Sequence, residues 1–431
     1  MEYSCVLKKY LWFISLIFIF FTMFNINFTY SNASKENQKI LLMWENIPDA
    51  VMYEIRITSR EIDHNSLEPG SLLPRAVFVK KNIFTPGLEI NSASFKVPLN
   101  DLWWQIRAFD TNYNPISDFT KPKKIIDNYI ISSAPKHLYD LDTKPYCLLY
   151  PVYSWIPVLG ATSYEIEILR TNLAPEENST FSNLVRKYKV NGSISFNFYD
   201  EESYTKAETL WWRIRALDRE NTYIGNWSKC SSFTIQTENI NFAALGDSIT
   251  HGGGAISNSP PEPLYDWTAH TNINIKNLAK SGNTSLDLVK RFDKDVLPFS
   301  PKVLIIMIGV NDIREGNSAT EVISNLEIIR SKCNNNKIIP VFVTTTPINP
   351  ELIIKVSGNN TSPSWQAEQN KINTWILSQK YSININHLLI DENGILKEFL
   401  ASDGLHIDSE GKKLIGETIG NYLKNTFPEL I

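Results

Sequence analysis

The sequence is short of cysteine and has no surplus of positive charge, and each shortage removes a class of function. Cys5, Cys147, Cys230 and Cys333 are the only cysteines in 431 residues and show no C-x-x-C spacing, which excludes a zinc site built on cysteine. Lys and Arg number 42 against 46 Asp and Glu, so the net charge of -4 leaves no basic footprint for nucleic acid. Histidine is also sparse. His64, His137, His270 and His387 are scattered without an H-E-x-x-H pattern, so the sequence implies no metal and no cofactor.

What is present is core-building material: 43% hydrophobic residues with 20% charged ones, in a chain long enough for two or three domains of about 150 residues. Lys8 and Lys9 precede the uncharged run LWFISLIFIFFTMF at 11–24, and Ser31-Asn32-Ala33 supplies small residues at signal-peptidase spacing. Residues 1–33 are therefore expected to be a signal peptide, cleaved after Ala33, and the protein to be secreted or held at the cell surface. A membrane role is expected only if that segment stays uncleaved. Cys5 leaves with the signal. Cys147 lies ahead of one strand candidate and Cys230 at the start of another, so a disulfide between them is expected, with Cys333 left free.

The first half contains an internal repeat. MWENIPDAVMYEIRI at 43–57 aligns with SWIPVLGATSYEIEI at 154–168, placing Trp44 and Tyr53 each 111 positions before Trp155 and Tyr164. LWWQIRAFD at 102 and LWWRIRALD at 210 then align at an offset of 108, as do Ile116 and Phe119 with Ile224 and Trp227. Each copy pairs an alternating Tyr-Glu-Ile strand with a second alternating strand led by two tryptophans, the pattern of half-buried strands. Two β-sandwiches at 35–127 and 128–237 are expected, and their aromatic spacing resembles fibronectin type III domains. Trp44, Trp155 and one member of each Trp pair fall at inward-facing positions, which fits core packing in spacer domains better than stacking on sugars.

From Asn239 the pattern changes to apolar runs alternating with helical segments. INFAALGDS, KVLIIMIGVND, KIIPVFVTTTP and INHLLID are strand candidates, and SLDLVKRFDKDVL, SATEVISNLEIIRSKC, PSWQAEQNKINTWILSQ and DSEGKKLIGETIGNYLKNTF are helix candidates. That alternation predicts a parallel sheet covered by helices over 238–431. In such sheets reactive groups collect beyond the carboxyl ends of the strands. Ser248 falls there after the first strand, Gly282 and Asn283 after the short stretch INIKNLAKSG, and Asn311 after KVLIIMI.

Taken singly these residues have plain readings, since Asn311 and Asp312 suit a helix cap, Asp403-Gly404 a turn and His406 a buried hydrogen-bonded ring. Taken together they supply what a serine nucleophile needs. Asp403 and His406, three apart in DGLH, let a turn bring the carboxylate to one ring nitrogen while the other faces Ser248. The backbone amides of Ser248 and Gly282 and the side-chain amide of Asn311 are candidate donors to an oxyanion. His251 reads as a loop residue, the base being already assigned. Around Ser248 the sequence reads G-D-S-I-T and lacks the G-x-S-x-G elbow of α/β-hydrolases.

Four blocks in order, GDS with Ser248, SGN with Gly282, GVND with Gly309 and Asn311, and DGLH with Asp403 and His406, make residues 240–431 resemble the SGNH or GDSL hydrolases. The resemblance implies a flavodoxin-like three-layer α/β fold, ester hydrolysis by a Ser248-His406-Asp403 triad, and an oxyanion hole from Ser248, Gly282 and Asn311. The expected substrate is a carboxylic ester, with short acyl groups such as acetyl on a carbohydrate polymer preferred, because export and accessory sandwiches suit extracellular polymers. The alternatives are a lipolytic acylhydrolase acting on lysophospholipids or thioesters, and a surface binding or adhesion protein with an unused hydrolase fold. Glycosidase action by paired carboxylates has little support, since Asp247 and Asp403 have simpler places beside Ser248 and His406. AISNSPPEPLYDW and ELIIKVSGNNTSPSW are the candidate specificity loops, and Trp267 and Trp365 within them fit core packing.

Overall fold

The computed structural model describes residues 38–63, 65, 75–142, 146–192 and 196–431. The expected signal peptide, its cleavage point, Cys5 and His64 lie outside the described residues.

The first repeat forms strands β1 (Lys39–Met43), β2 (Met52–Thr58), β3 (Phe78–Ile83), β4 (Gly87–Asn91), β5 (Trp103–Phe109), β6 (Lys123–Lys124) and β7 (Ile130–Ile131), in two sheets ordered β3-β2-β5-β6 and β4-β1-β7. The second forms β8 (Val152–Ser154), β9 (Ser163–Leu169), β10 (Leu184–Asn191), β11 (Asn197–Tyr199), β12 (Glu208–Leu217), β13 (Tyr223–Ile224) and β14 (Ser231–Ile235). Its larger sheet runs β10-β9-β12-β13 with β14 also on β12, and β11 pairs with β8. The repeat seen in the sequence reappears as register: Tyr53 faces Ala108 across β2 and β5, and Tyr164 faces Ala216 across β9 and β12. Alternation puts Trp44, Trp104, Trp155 and Trp212 inside, while Trp103 and Trp211 are only half-buried.

The third part is a parallel sheet of β15 (Phe242–Gly246), β16 (Ile275–Asn277), β17 (Val303–Met307), β18 (Ile339–Val343) and β19 (Ser382–Ile383), in the order β16-β15-β17-β18-β19. Strands β15 and β17 are buried along their whole length, which explains their continuous apolar sequences. Helices Ser285–Asp295, Ala319–Asn335, Trp365–Leu377 and Ser409–Thr426 lie where the sequence predicts them, the first two opened by capping boxes at Thr284/Asp287 and Ser318/Glu321. Two expectations are corrected. INHLLID is a short helix, Asn386–Leu389, and the strand is the two-residue β19 just before it. The first residues of ELIIKVSGNNTSPSW form the helix Pro350–Ser357, capped by Asn349 and stopped by Gly358 in the left-handed region.

The expected Cys147–Cys230 disulfide is also corrected: both thiols are free. Docking of the second repeat decides this, because Cys147 is buried beside the parallel sheet, where its carbonyl accepts from Lys276 Nζ at 2.9 Å, while Cys230 Sγ donates to the Leu173 carbonyl. Neighbouring bonds hold the same interface, with Leu149 N–H donating to Asn277 O (3.1 Å) and the Tyr150 hydroxyl to Asp295 (2.5 Å). The second repeat and the parallel-sheet domain share one continuous apolar core, whereas the first repeat has its own.

The first repeat docks through the loop at Asp49. Its carboxylate accepts from Ser409 N–H (3.0 Å) and Oγ (2.9 Å) at the start of the last helix, and its amide donates to the Tyr265 hydroxyl (2.7 Å). Thr111 Oγ1 adds a bond to Ser402 O at 3.2 Å. The repeats are therefore packed against the C-terminal domain and do not act as free spacers.

Candidate active site

The chain leaves β15 toward β16 on one side and later returns as β17 on the other, so the crevice beyond the end of β15 lies at the sheet's switch point. Ser248 is the first residue of a short helix, Ser248–His251, entered through Gly246 and Asp247. A side chain at Gly246 would meet Met307 O at 2.5 Å, so only glycine lets the strand turn there. Asp247 caps the helix by accepting from Ile249 N–H at 2.9 Å, and Lys412 Nζ holds the Ile249 carbonyl at 2.6 Å.

His406 Nε2 lies 3.2 Å from Ser248 Oγ, and its Nδ1 lies 2.8 Å from Asp403 Oδ2. The other carboxylate oxygen, Oδ1, accepts from the amides of Leu405 (2.9 Å) and His406 (2.7 Å). Burial alone would raise the Asp403 pKa, but the His406 ring and these two amides outweigh it and hold the carboxyl below its ordinary value. An ionised Asp403 takes the Nδ1 proton in a hydrogen bond, which leaves the Nε2 lone pair to accept from the serine hydroxyl. Gly404 makes the turn at φ +79, close against the Asn349 carbonyl.

Gly282 has φ +82 with open space where a side chain would stand. No acceptor among the described residues takes the backbone N–H of Gly282 or of Ser248. Asn311 Nδ2 donates to Asn283 O at 2.9 Å, leaving its second hydrogen without an acceptor among the described residues, and Asn311 Oδ1 accepts from Arg314 Nη2 at 3.4 Å. Asp312 ties down the start of the Ser285–Asp295 helix, its carboxylate accepting from Ser285 N–H (2.9 Å) and Oγ (2.7 Å). Ser248, Gly282, Asn311, Asp403 and His406 all line one cleft of 680 Å³. A larger groove, 910 Å³, lies between the two repeats around Lys136, Asp140 and Cys230 and includes none of these five residues.

Two features of the site were not read from the sequence. His251 is no loop residue: it is buried on the Ser248 helix, its Nε2 on the Tyr150 carbonyl (2.7 Å) and its Nδ1 on Ser281 Oγ (2.9 Å), so the second repeat braces the segment that carries Gly282. Its position three residues after Ser248, one helical turn on, was the available signal. The other is the cleft wall, to which the first repeat contributes Val51, Met52, Phe84, Thr111 and Tyr113. Trp267 and Trp365 are core residues. Among the described residues no group of three or more His, Cys, Asp or Glu is placed to hold a metal ion.

Two buried carboxyls flank the site, and burial pushes both Asp247 and Asp408 up to about 7. Between about pH 4 and 7 such a group is protonated in the fold and ionised in the unfolded chain, so each lowers stability by up to about 1.4 kcal/mol per unit of rising pH. The expected result is a contribution to Tm that grows as pH falls from 7 toward 5 and that Asp247→Asn removes. Thermal melts of the two proteins across that range check it; equal slopes would refute it.

Residues 244–414 match the GDSL-like Lipase/Acylhydrolase family. This part of the chain is thus an esterase-type hydrolase domain. More narrowly, it is a lipase/acylhydrolase domain of the GDSL type, set behind a β-rich N-terminal half. N-acylneuraminate cytidylyltransferases from two Streptococcus agalactiae serotypes are each 32% identical over 115 residues, 26% of this chain, and the matched stretch spans about a quarter (25%) of the length of those curated relatives. Among solved structures, a lipase/acylhydrolase from Enterococcus faecalis is 20% identical, with 43% of this chain and 96% of that one covered, at a TM-score of 0.36. A GDSL-like lipase from Bacteroides thetaiotaomicron is 20% identical over 44% of this chain and 91% of its own (TM-score 0.36). A mutant of an acetyl-xylooligosaccharide esterase from Geobacillus is 19% identical over 42% and 93% (TM-score 0.33).

Proposed function

We propose that the protein is an exported serine esterase in which Ser248 is the nucleophile, His406 its base and Asp403 the group that orients the base. The observation that carries this is the unbroken hydrogen-bond chain from Asp403 through His406 to Ser248, opening on a cleft that also holds Gly282 and Asn311. As Ser248 Oγ attacks the ester carbonyl, its proton passes to His406 Nε2, and the imidazolium is stabilised by Asp403. The carbonyl oxygen becomes an oxyanion facing the amides of Ser248 and Gly282 and the Asn311 carboxamide, each donor of this kind contributing about 2.7–4 kcal/mol. His406 then returns the proton to the leaving alcohol, and water repeats the sequence on the acyl-serine.

The finer reading is removal of short acyl groups such as acetyl from a carbohydrate outside the cell, with the two β units as fibronectin type III-like sandwiches. The N-terminal signal pattern, the Trp-led repeat and the two-sheet build of each unit support it. Met52, Ile256, Ile353 and Val356 in the cleft favour a second reading, a lipolytic acylhydrolase. A series of acetyl, octanoyl and palmitoyl nitrophenyl esters with acetylated xylan separates them: acetyl preference with xylan deacetylation supports the first, and palmitoyl preference the second. In the same assay Asn311→Ala is expected to lower kcat by about 10²–10³-fold. An unchanged kcat would remove Asn311 from the oxyanion hole.

A further inference from the structure

We propose that the first repeat recognises the alcohol part of the ester, and that Tyr113 is the ring on which a pyranose of an acylated glycan packs; this rests on the esterase reading above. The first repeat is held at the cleft by the Asp49 and Thr111 bonds, and by burial of Val51 and Met52 against Ala255. Its hairpin tip, residues 110–114, reaches the cleft with Thr111 and Tyr113.

Tyr113 stands at φ +64, in the left-handed region that a bulky side chain adopts only at an energetic penalty. The internal repeat supplies a control. At the offset of 108 the equivalent residue is Asn221, with φ +60. The two tips are built alike: Asp110 and Asp218 each accept from the amide four residues on, at 2.8 and 2.7 Å, and their backbones accept from Tyr113 N–H (3.3 Å) and Asn221 N–H (3.1 Å). Asparagine is a residue that suits this conformation, and its side chain in the second copy accepts from Lys189 at 2.8 Å. Of the two tips, only the one that reaches the cleft carries tyrosine at this position.

Packing does not explain the exception. Tyr113 is 63% exposed and makes no ring contact or side-chain hydrogen bond with any described residue. A strained residue at a functional cleft that repays nothing in the fold points to a ligand. Thr111, Asn258, Ser357 and Asn359 line the same cleft, so an aromatic face stands among hydroxyl and amide groups. That mixture matches a polyhydroxylated ring, which presents C–H faces to an aromatic and hydroxyls to polar neighbours.

The test uses the full chain with two acetate esters, an acetylated methyl glucopyranoside and glycerol triacetate, which has no ring. Tyr113→Asn, the residue of the second copy, is expected to raise KM for the glucopyranoside about tenfold while kcat stays within about twofold. Glycerol triacetate kinetics should be unchanged, and Tyr113→Phe should keep the wild-type KM. Equal effects on both esters, or none on either, would overturn the proposal. So would a loss confined to octanoyl esters, which would assign the ring to the acyl chain. If the wild-type protein cleaves neither acetate, the esterase reading itself fails, an outcome distinct from activity without discrimination.

Discussion

Ser248→Ala is expected to lower kcat/KM for acetate esters by at least about 10⁴-fold, leaving only what the oxyanion donors and binding supply. In the proposed mechanism the serine oxygen forms the bond to the acyl carbon, and no other hydroxyl among the described residues lies on His406 Nε2. Stability should hardly change, because the substitution removes one 3.2 Å hydrogen bond on a half-buried side chain. A fluorophosphonate probe, followed by peptide mass spectrometry, should label Ser248 in the wild type and nothing in the variant. A variant that folds and still turns over esters at the wild-type rate would end the serine mechanism.

Asp403→Asn should cost nearly as much, about 10⁴-fold in kcat, through a proton on the wrong nitrogen. Oδ1 accepts two backbone amides, from Leu405 and His406, so an asparagine there keeps its oxygen on that side. Its NH₂ group is then forced toward His406 Nδ1, which must become an acceptor. The ring proton moves to Nε2, and Nε2 can no longer take the proton of Ser248. The check is kcat near neutral pH beside a thermal melt: a folded variant with kcat within tenfold of wild type would show that Asp403 does not set the tautomer.

The parts of the fold that could be read from the sequence are those where one residue type is forced by its surroundings. Strands β15 and β17 are buried on both faces and so read as unbroken apolar runs. That Ser248, Gly282, Asn311, Asp403 and His406 meet at one cleft could be anticipated because each follows an element end with a recognisable neighbour, such as Gly246 before Asp247 or Gly404 inside DGLH. Strand β19 could not be found: two residues carry no period, and the apolar residues after it belong to a helix. The absence of a Cys147–Cys230 disulfide and the place of His251 depend on how the second repeat docks, and local sequence does not encode that. The wall made by Met52 and Tyr113 is the extreme case, brought to Ser248 from well over a hundred residues away.

The division of the apolar interior has a further consequence. The second repeat and the hydrolase domain share a core and so melt together, while the first repeat has a separate core and meets them through the Asp49 bonds and a small apolar contact of Val51 and Met52 with Ala255. On heating, the first repeat can therefore open as a unit of its own while Ser248 and His406 stay assembled. With Tyr113 in the role proposed for it, the protein would then pass through a discriminating state and a permissive one before it is inactivated, with selectivity the first property to be lost.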